Sequence, residues 1–150
     1  MKLGLVFSGG GVRALAHAGL LKALEEKGLR PSIISGTSGG ALIGALYACG
    51  VKPDDMAQFF KETPVFKWSM LTFKKVGLVD SAKYTKFFEK EFQYHTFEEL
   101  QLPLIVTATN LLNGKVQYFN QGELIQPLIA SAALPPYFSP VRIGESLYCD

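Results

Sequence analysis

The stretch SIISGTSGGALIGALYACG, residues 32–50, joins two apolar runs through a cluster of glycine and serine. Ser32–Ser35 has the pattern of a buried β-strand, and Gly39–Cys49 has that of a helix built from small and apolar residues. Between them lies Gly36-Thr37-Ser38-Gly39-Gly40, a G-x-S-x-G motif at a strand-to-helix turn. Such a turn presents its serine at the surface, so we predict that Ser38 is a catalytic nucleophile. A helix N-cap serine without chemistry is the alternative.

A second glycine cluster follows the first predicted strand, Lys2–Phe7, and precedes a predicted helix, Val12–Lys27. Successive glycines at a helix start leave backbone N–H groups unobstructed and so favour an anion site. We predict an oxyanion hole that faces Ser38, formed by Gly9, Gly10 and Gly11, with Arg13 adding charge or fixing the loop.

Two other interpretations of this loop remain. Gly9, Gly11 and Ala14 also fit the dinucleotide fingerprint G-x-G-x-x-G/A. That fingerprint needs an acidic residue about twenty positions further on, where this chain has Gly36-Thr37-Ser38 instead. We therefore expect no nucleotide cofactor and no metal. A glycine turn without any role is the other alternative.

The remaining sequence continues the alternation of strands and helices, which predicts an α/β fold around a parallel sheet. Asp54 is expected to cap a short helix, and Thr96 and Glu99 have the spacing of a capping box. The further predicted elements are helices at Asp54–Glu62, Ser81–Phe92 and Gly122–Ala133, strands at Leu104–Ala108 and Ser146–Cys149, and an Asn113-Gly114 hairpin between Leu111-Leu112 and Val116–Phe119.

Composition restricts the class of protein. A chain of 150 residues with 48% apolar and 19% charged side chains is the size of one globular domain and is neither disordered nor fibrous. The net charge of +2 gives no reason to expect nucleic acid binding, and two cysteines make no metal or redox motif. Residues 31–51 carry no charge, but their glycines and serines are too polar for a membrane span. We expect a cytoplasmic protein.

A serine nucleophile needs a base, and the histidines are poorly placed for that role. His17 lies inside the first predicted helix, and His95 lies in a polar connection. Three aspartates lie at predicted helix starts, where capping explains them (Asp54, Asp55, Asp80). Asp150 instead follows a short apolar strand that needs no cap. We predict that Asp150 is the base.

Taken together, these motifs resemble those of the patatin-like phospholipase family, acyl hydrolases with a Ser-Asp dyad. The family oxyanion motif G-G-G-x-[RK]-G corresponds to Gly9–Ala14, and its nucleophile motif corresponds to Gly36–Gly40. Three downstream segments are also family-like: Leu102-Pro103-Leu104, Ala130–Pro135 and Phe138–Val141. The aspartate of the family's D-G-[GA] motif maps to Asp150.

The resemblance implies a three-layer α/β/α fold with a mainly parallel central sheet, over residues 1–150 as a single hydrolase domain. It implies that Ser38 and Asp150 cleave lipid acyl esters. Ala14 replaces the last glycine of the oxyanion motif, and family members continue beyond the position of Asp150, so we expect a fragment of a longer product. An acyltransferase with the same serine turn and a catalytically silent lipid-binding module are the alternatives.

Residues 64–76 interleave apolar side chains with lysines, a pattern typical of peripheral membrane contact or of a lid over an acyl site. Core packing with solvated lysines between the apolar residues is the alternative. The apolar residues in question are Phe66, Trp68, Met70, Leu71 and Phe73.

Overall fold

The computed structural model describes residues 2–63 and 81–150, where strands and helices follow one another along the chain. In chain order the elements are β1 (Gly4–Phe7), α1 (Leu15–Glu26), β2 (Ile33–Thr37), α2 (Gly39–Ala48), α3 (Met56–Glu62), α4 (Ser81–Glu91), β3 (Leu104–Asn110), β4 (Lys115–Phe119), α5 (Ile125–Ala132), β5 (Val141–Ile143) and β6 (Ser146–Cys149). Short 3-10 turns cover Gly11–Ala14, Pro53–Asp55 and Phe97–Glu99.

The strands described by the structure form one mixed sheet. β1, β2 and β3 are parallel neighbours, as expected for strands that are joined through helices. β3 also pairs antiparallel with β4 and with β6, and β5 and β6 form a hairpin. The expected α/β fold with a parallel centre is confirmed.

The register of β3 brings β2 and β6 to a common point. Thr107 pairs with Thr37 of β2 on one side and with β4 on the other. Thr109 pairs with Cys149 of β6 and also with β4. Because β4 occupies the same edge of β3 in both cases, β2 and β6 share the opposite edge. Their carboxyl ends therefore meet end to end.

Helix α2 packs at the centre of the fold, where apart from Tyr47 all its side chains are buried. It lies so close to the sheet that a Cβ added at Gly44 would be 2.9 Å from Cγ2 of Ile34. Along β3 burial alternates, with Leu104 and Val106 buried and the residues between them half-buried. The uncharged residues 31–51 thus form the strand and helix of the core. No helix within the described residues is long and apolar enough to span a membrane.

Several predicted elements are confirmed with shifted ends, and one predicted cap is wrong. Asp54 accepts a hydrogen bond from Lys22 Nζ at 2.6 Å and lies in the 3-10 turn before α3, so it does not cap that helix. The capping box of Thr96 and Glu99 is confirmed. The helix predicted from Gly122 begins at Ile125.

The hairpin around Gly114 also differs from the prediction. Leu111 and Leu112 lie in the turn, because β3 continues to Asn110 and pairs directly with β4. Strand β5 was not predicted, since Val141–Ile143 is too short to give a period-two pattern. It matters for the site because its hairpin with β6 carries the chain to Asp150.

Candidate active site

Ser38 lies at the sharp turn between β2 and α2. Its backbone has φ 52° and ψ −128°, and it is the one non-glycine residue of the described part of the chain with positive φ. Such a conformation is strained and persists only where the surroundings impose it. The Ser38 carbonyl accepts hydrogen bonds from the N–H groups of Ala41 and Leu42, which begins the helix immediately after it.

The glycines around Ser38 are required by space. A Cβ at Gly36 would come within 2.6 Å of Cα and N of Ala41, inside the turn itself. A Cβ at Gly40 would come within 2.5 Å of the carbonyl oxygens of Phe7 and Ser8, on the neighbouring strand end. The structure thus places the predicted G-x-S-x-G motif in a turn that only glycine permits at these two positions.

Asp150 follows β6 and lies at the point where β6 meets β2. The Ser38 hydroxyl is close enough to the Asp150 carboxylate for a hydrogen-bonding interaction that lowers the pKa of that carboxyl. The backbone N–H of Asp150 donates to the carbonyl of Ala133 at 3.0 Å, which fixes Asp150 relative to the end of α5. The structure thus brings together the two residues that the sequence predicts as nucleophile and base.

The electrostatic environment of Asp150 favours proton acceptance. The carboxylate is half-buried, and this burial raises its pKa above the usual range for an aspartate, while the hydrogen bond from Ser38 opposes the shift in part. A higher pKa makes a carboxylate a stronger base near neutral pH. The first turn of α2 directs its positive end at Ser38, which favours negative charge on the serine oxygen.

Ser131 supports the site although sequence reasoning did not identify it. It lies on α5 with no exposed surface, and its Oγ accepts a hydrogen bond of 2.8 Å from the N–H of Ser38. This bond occupies the Ser38 amide, so an oxyanion at Ser38 would depend on other donors. The signal in the sequence was a serine within the apolar helix that precedes Pro135.

The glycine loop lies directly against Ser38. A Cβ added at Gly9 would be 3.1 Å from Cβ and 3.7 Å from Oγ of Ser38. Gly10 and Gly11 have φ values of 149° and 56°, which side chains rarely adopt. Within residues 2–63 and 81–150, no hydrogen bond is donated by the N–H groups of these three glycines. The loop therefore offers free donors beside the serine.

Arg13 contacts the glycine loop through its backbone N–H group. Its N–H donates to the Gly10 carbonyl at 3.1 Å and so closes the turn, while the side chain points to solvent. The predicted helix start at Val12 is replaced by the 3-10 turn Gly11–Ala14, after which α1 begins. The predicted role of Arg13 in the oxyanion hole stays a prediction.

Both histidines bond to backbone carbonyls. His17 Nε2 lies 3.0 Å from the oxygen of Ser8, and its ring stacks on Phe7. His95 Nε2 lies 3.1 Å from the oxygen of Glu89, and its N–H donates to Glu99. Each Nε2 atom therefore lies at hydrogen-bond distance from a backbone carbonyl.

Within the described residues no group of three or more His, Cys, Asp or Glu could hold a metal ion. The predicted membrane-contact segment, residues 64–76, lies outside the described residues.

The family model described as "Patatin-like phospholipase" matches residues 5–150. Among curated proteins, the lysophospholipase nte1 of Emericella nidulans is 30% identical over 99% of this chain, and the lysophospholipase NTE1 of Coccidioides immitis is 32% identical over the same share. An uncharacterized NTE family protein of Mycobacterium bovis is 28% identical, again over 99% of the chain. The chain spans 10% of the length of each of the two lysophospholipases and 42% of the mycobacterial protein.

Solved structures share the fold. VipD from Legionella pneumophila superposes with a TM-score of 0.72 at 17% identity, covering 99% of this chain and 45% of VipD. ExoU of Pseudomonas aeruginosa, solved in complex with SpcU, gives a TM-score of 0.56 at 20% identity, covering 89% of this chain and 38% of that one.

Proposed function

The chain belongs to the patatin-like phospholipase family, and we propose that it hydrolyses acyl esters of lipids with Ser38 as nucleophile and Asp150 as base. The observation that carries the proposal is that Ser38, in a turn strained at that residue, and Asp150 follow strand ends that meet along one edge of β3. A structural serine would need neither the strained turn nor a half-buried carboxylate partner.

The reaction follows from these positions. Ser38 Oγ forms a bond to the ester carbonyl carbon, while its proton passes to Asp150 and the carbonyl oxygen becomes an oxyanion. N–H groups of the Gly9–Gly11 loop stabilise that oxyanion, and each such donor is typically worth about 100- to 1,000-fold in rate. The C–O bond to the alcohol then breaks, and the alcohol leaves with the proton from Asp150. Water cleaves the acyl-enzyme by the same proton path and returns Ser38 to its hydroxyl form.

Lysophospholipid is the first substrate class to test, because two relatives carry the name lysophospholipase. A lipid substrate also implies that the ester is hydrolysed at a lipid surface. Contact with that surface through Phe66, Trp68 and neighbouring apolar residues stays a prediction of the sequence.

The proposal is tested by fatty-acid release from lysophosphatidylcholine and by hydrolysis of a short p-nitrophenyl ester. We expect activity in the wild type, none above background in Ser38→Ala, and near wild-type activity in Ser35→Ala. Ser35 is a matched control, since it is a half-buried serine three residues earlier, in β2. Lipid binding without ester cleavage by the wild type would contradict hydrolysis and support a silent binding module. Undiminished hydrolysis by Ser38→Ala would exclude Ser38 as the nucleophile.

A further inference from the structure

His17 contacts the glycine loop at the residue where the loop begins. Its Nε2 is 3.0 Å from the carbonyl oxygen of Ser8, which can only accept a hydrogen bond. The proton of this bond therefore belongs to Nε2. The imidazole also stacks on the buried ring of Phe7, with 4.6 Å between ring centroids and 15° between planes. This contact orients the ring toward Ser8.

The peptide between Ser8 and Gly9 is enclosed from two sides. His17 contacts its oxygen from α1, and Gly40 lies against the same oxygen from α2, where an added Cβ would be only 2.5 Å away. Among the described residues the cis peptide bond is that between Pro135 and Pro136, so the Ser8–Gly9 peptide is trans. In a trans peptide the N–H points opposite to the carbonyl oxygen, so fixing one group fixes the other.

Gly9 is also the glycine of the loop that lies against the Ser38 side chain, 3.1 Å from added Cβ to Ser38 Cβ. Its N–H makes no hydrogen bond within the described residues. We propose that His17 is a positioning residue, which holds the Ser8–Gly9 peptide so that the Gly9 N–H is oriented in advance for the oxyanion. The inference rests on the proposed function of Ser38. It assigns to His17 a role in the reaction without any proton transfer.

Two substitutions at His17 distinguish the effect of the ring from the effect of its N–H donor. His17→Phe keeps a ring that can stack on Phe7 but removes the donor, whereas His17→Gln removes the ring and keeps an N–H donor. We expect His17→Phe to lower kcat about tenfold with KM changed less than about twofold. A misplaced donor costs less than the roughly 100-fold of a deleted one, and the interaction acts in the transition state. His17→Gln should recover most of this loss.

The rate of Ser38 labelling by a fluorophosphonate should fall in the same proportion, since the phosphonyl oxygen occupies the same position as the oxyanion. Melting temperatures are measured for each variant, and assays are run well below the lowest of them. If His17→Phe is too unstable, His17→Leu serves as a second variant without a donor. A kcat within twofold of wild type in the variant without a donor, or a loss that His17→Gln does not restore, would overturn the inference. Ser38→Ala is measured beside them, because hydrolysis that survives it defeats the proposed function instead.

Discussion

The Gly9–Gly11 loop lies beside Ser38 through Gly9, so we expect a single added side-chain atom in this loop to lower turnover. Gly9→Ala would place a Cβ 3.1 Å from Cβ of Ser38, and Gly10→Ala would put a side chain at φ 149°. We expect each to lower kcat by at least about tenfold with little change in KM, because loop donors act on the transition state. Steady-state kinetics on a p-nitrophenyl ester measure both constants.

Gly19 supplies the control for these substitutions. It lies in α1, an added Cβ there meets nothing within 4 Å, and a helical Gly→Ala change is favourable by about 1 kcal/mol. Gly19→Ala should therefore keep wild-type kcat and an equal or higher melting temperature. Wild-type turnover in both loop variants would show that the loop takes no part in the reaction.

The protonation of Asp150 sets the expected pH dependence. The value of kcat/KM should fall as pH decreases, because a protonated carboxyl group cannot accept the Ser38 proton. Burial raises the pKa of Asp150, so the midpoint of the fall should lie above the usual aspartate range. A pH–rate profile under conditions where the fold is retained measures it. A midpoint at or below the usual value would contradict the environment described for this carboxylate.

The same shift has a consequence for stability. A carboxylate whose pKa is higher in the folded than in the unfolded state favours folding below the unfolded pKa, and this contribution is lost as pH rises through the folded pKa. At neutral pH the buried charge of Asp150 therefore costs stability. Asp150→Asn should not lower the melting temperature at neutral pH, which separates its effect on turnover from unfolding.

At the scale of elements, α5 fixes both members of the candidate pair. Ser131 accepts the Ser38 N–H, and Ala133, one residue past the helix, accepts the Asp150 N–H. Ser131→Ala would leave the Ser38 N–H buried and unpaired, at a cost of about 1–3 kcal/mol. We expect a lower melting temperature and a lower kcat, measured beside Ser35→Ala as the control. Wild-type values for both quantities in Ser131→Ala would show that this bond does not hold the turn.

The β2–α2 unit was predictable because all its signals are local. The apolar strand, the glycines of the turn and the small-residue helix lie within residues 32–50, and the structure contains both elements, with the strand continuing to Thr37 and the helix ending at Ala48. Side-chain contacts between residues that are distant in sequence were predicted less well. Asp54 pairs with Lys22 across 32 residues of sequence, a partner that no local pattern identifies. Ser131 contacts Ser38 across 93 residues in the same way.

At the scale of the whole molecule, the site exists because two strands end at one point. β2 runs parallel to β3 and β6 runs antiparallel to it along the same edge, so that Ser38 and Asp150 follow strand ends that face each other. The alternation of strands and helices predicted the parallel part of this sheet. It could not predict the reversed direction of β6, which depends on the hairpin with the unpredicted strand β5. The roles of Ser38, Asp150 and the glycine loop in catalysis stay predictions.

The measurement that tests the central claim most directly is the rate and position of covalent labelling by a fluorophosphonate, read by intact mass and peptide mapping. We expect one adduct, on Ser38, in the wild type and no adduct in Ser38→Ala. In Asp150→Asn the labelling rate should fall at least about a thousandfold, as expected when a nucleophile loses its base. Labelling at another residue, or Asp150→Asn labelled at the wild-type rate with the fold intact, would contradict the assignment of Ser38 and Asp150 as nucleophile and base.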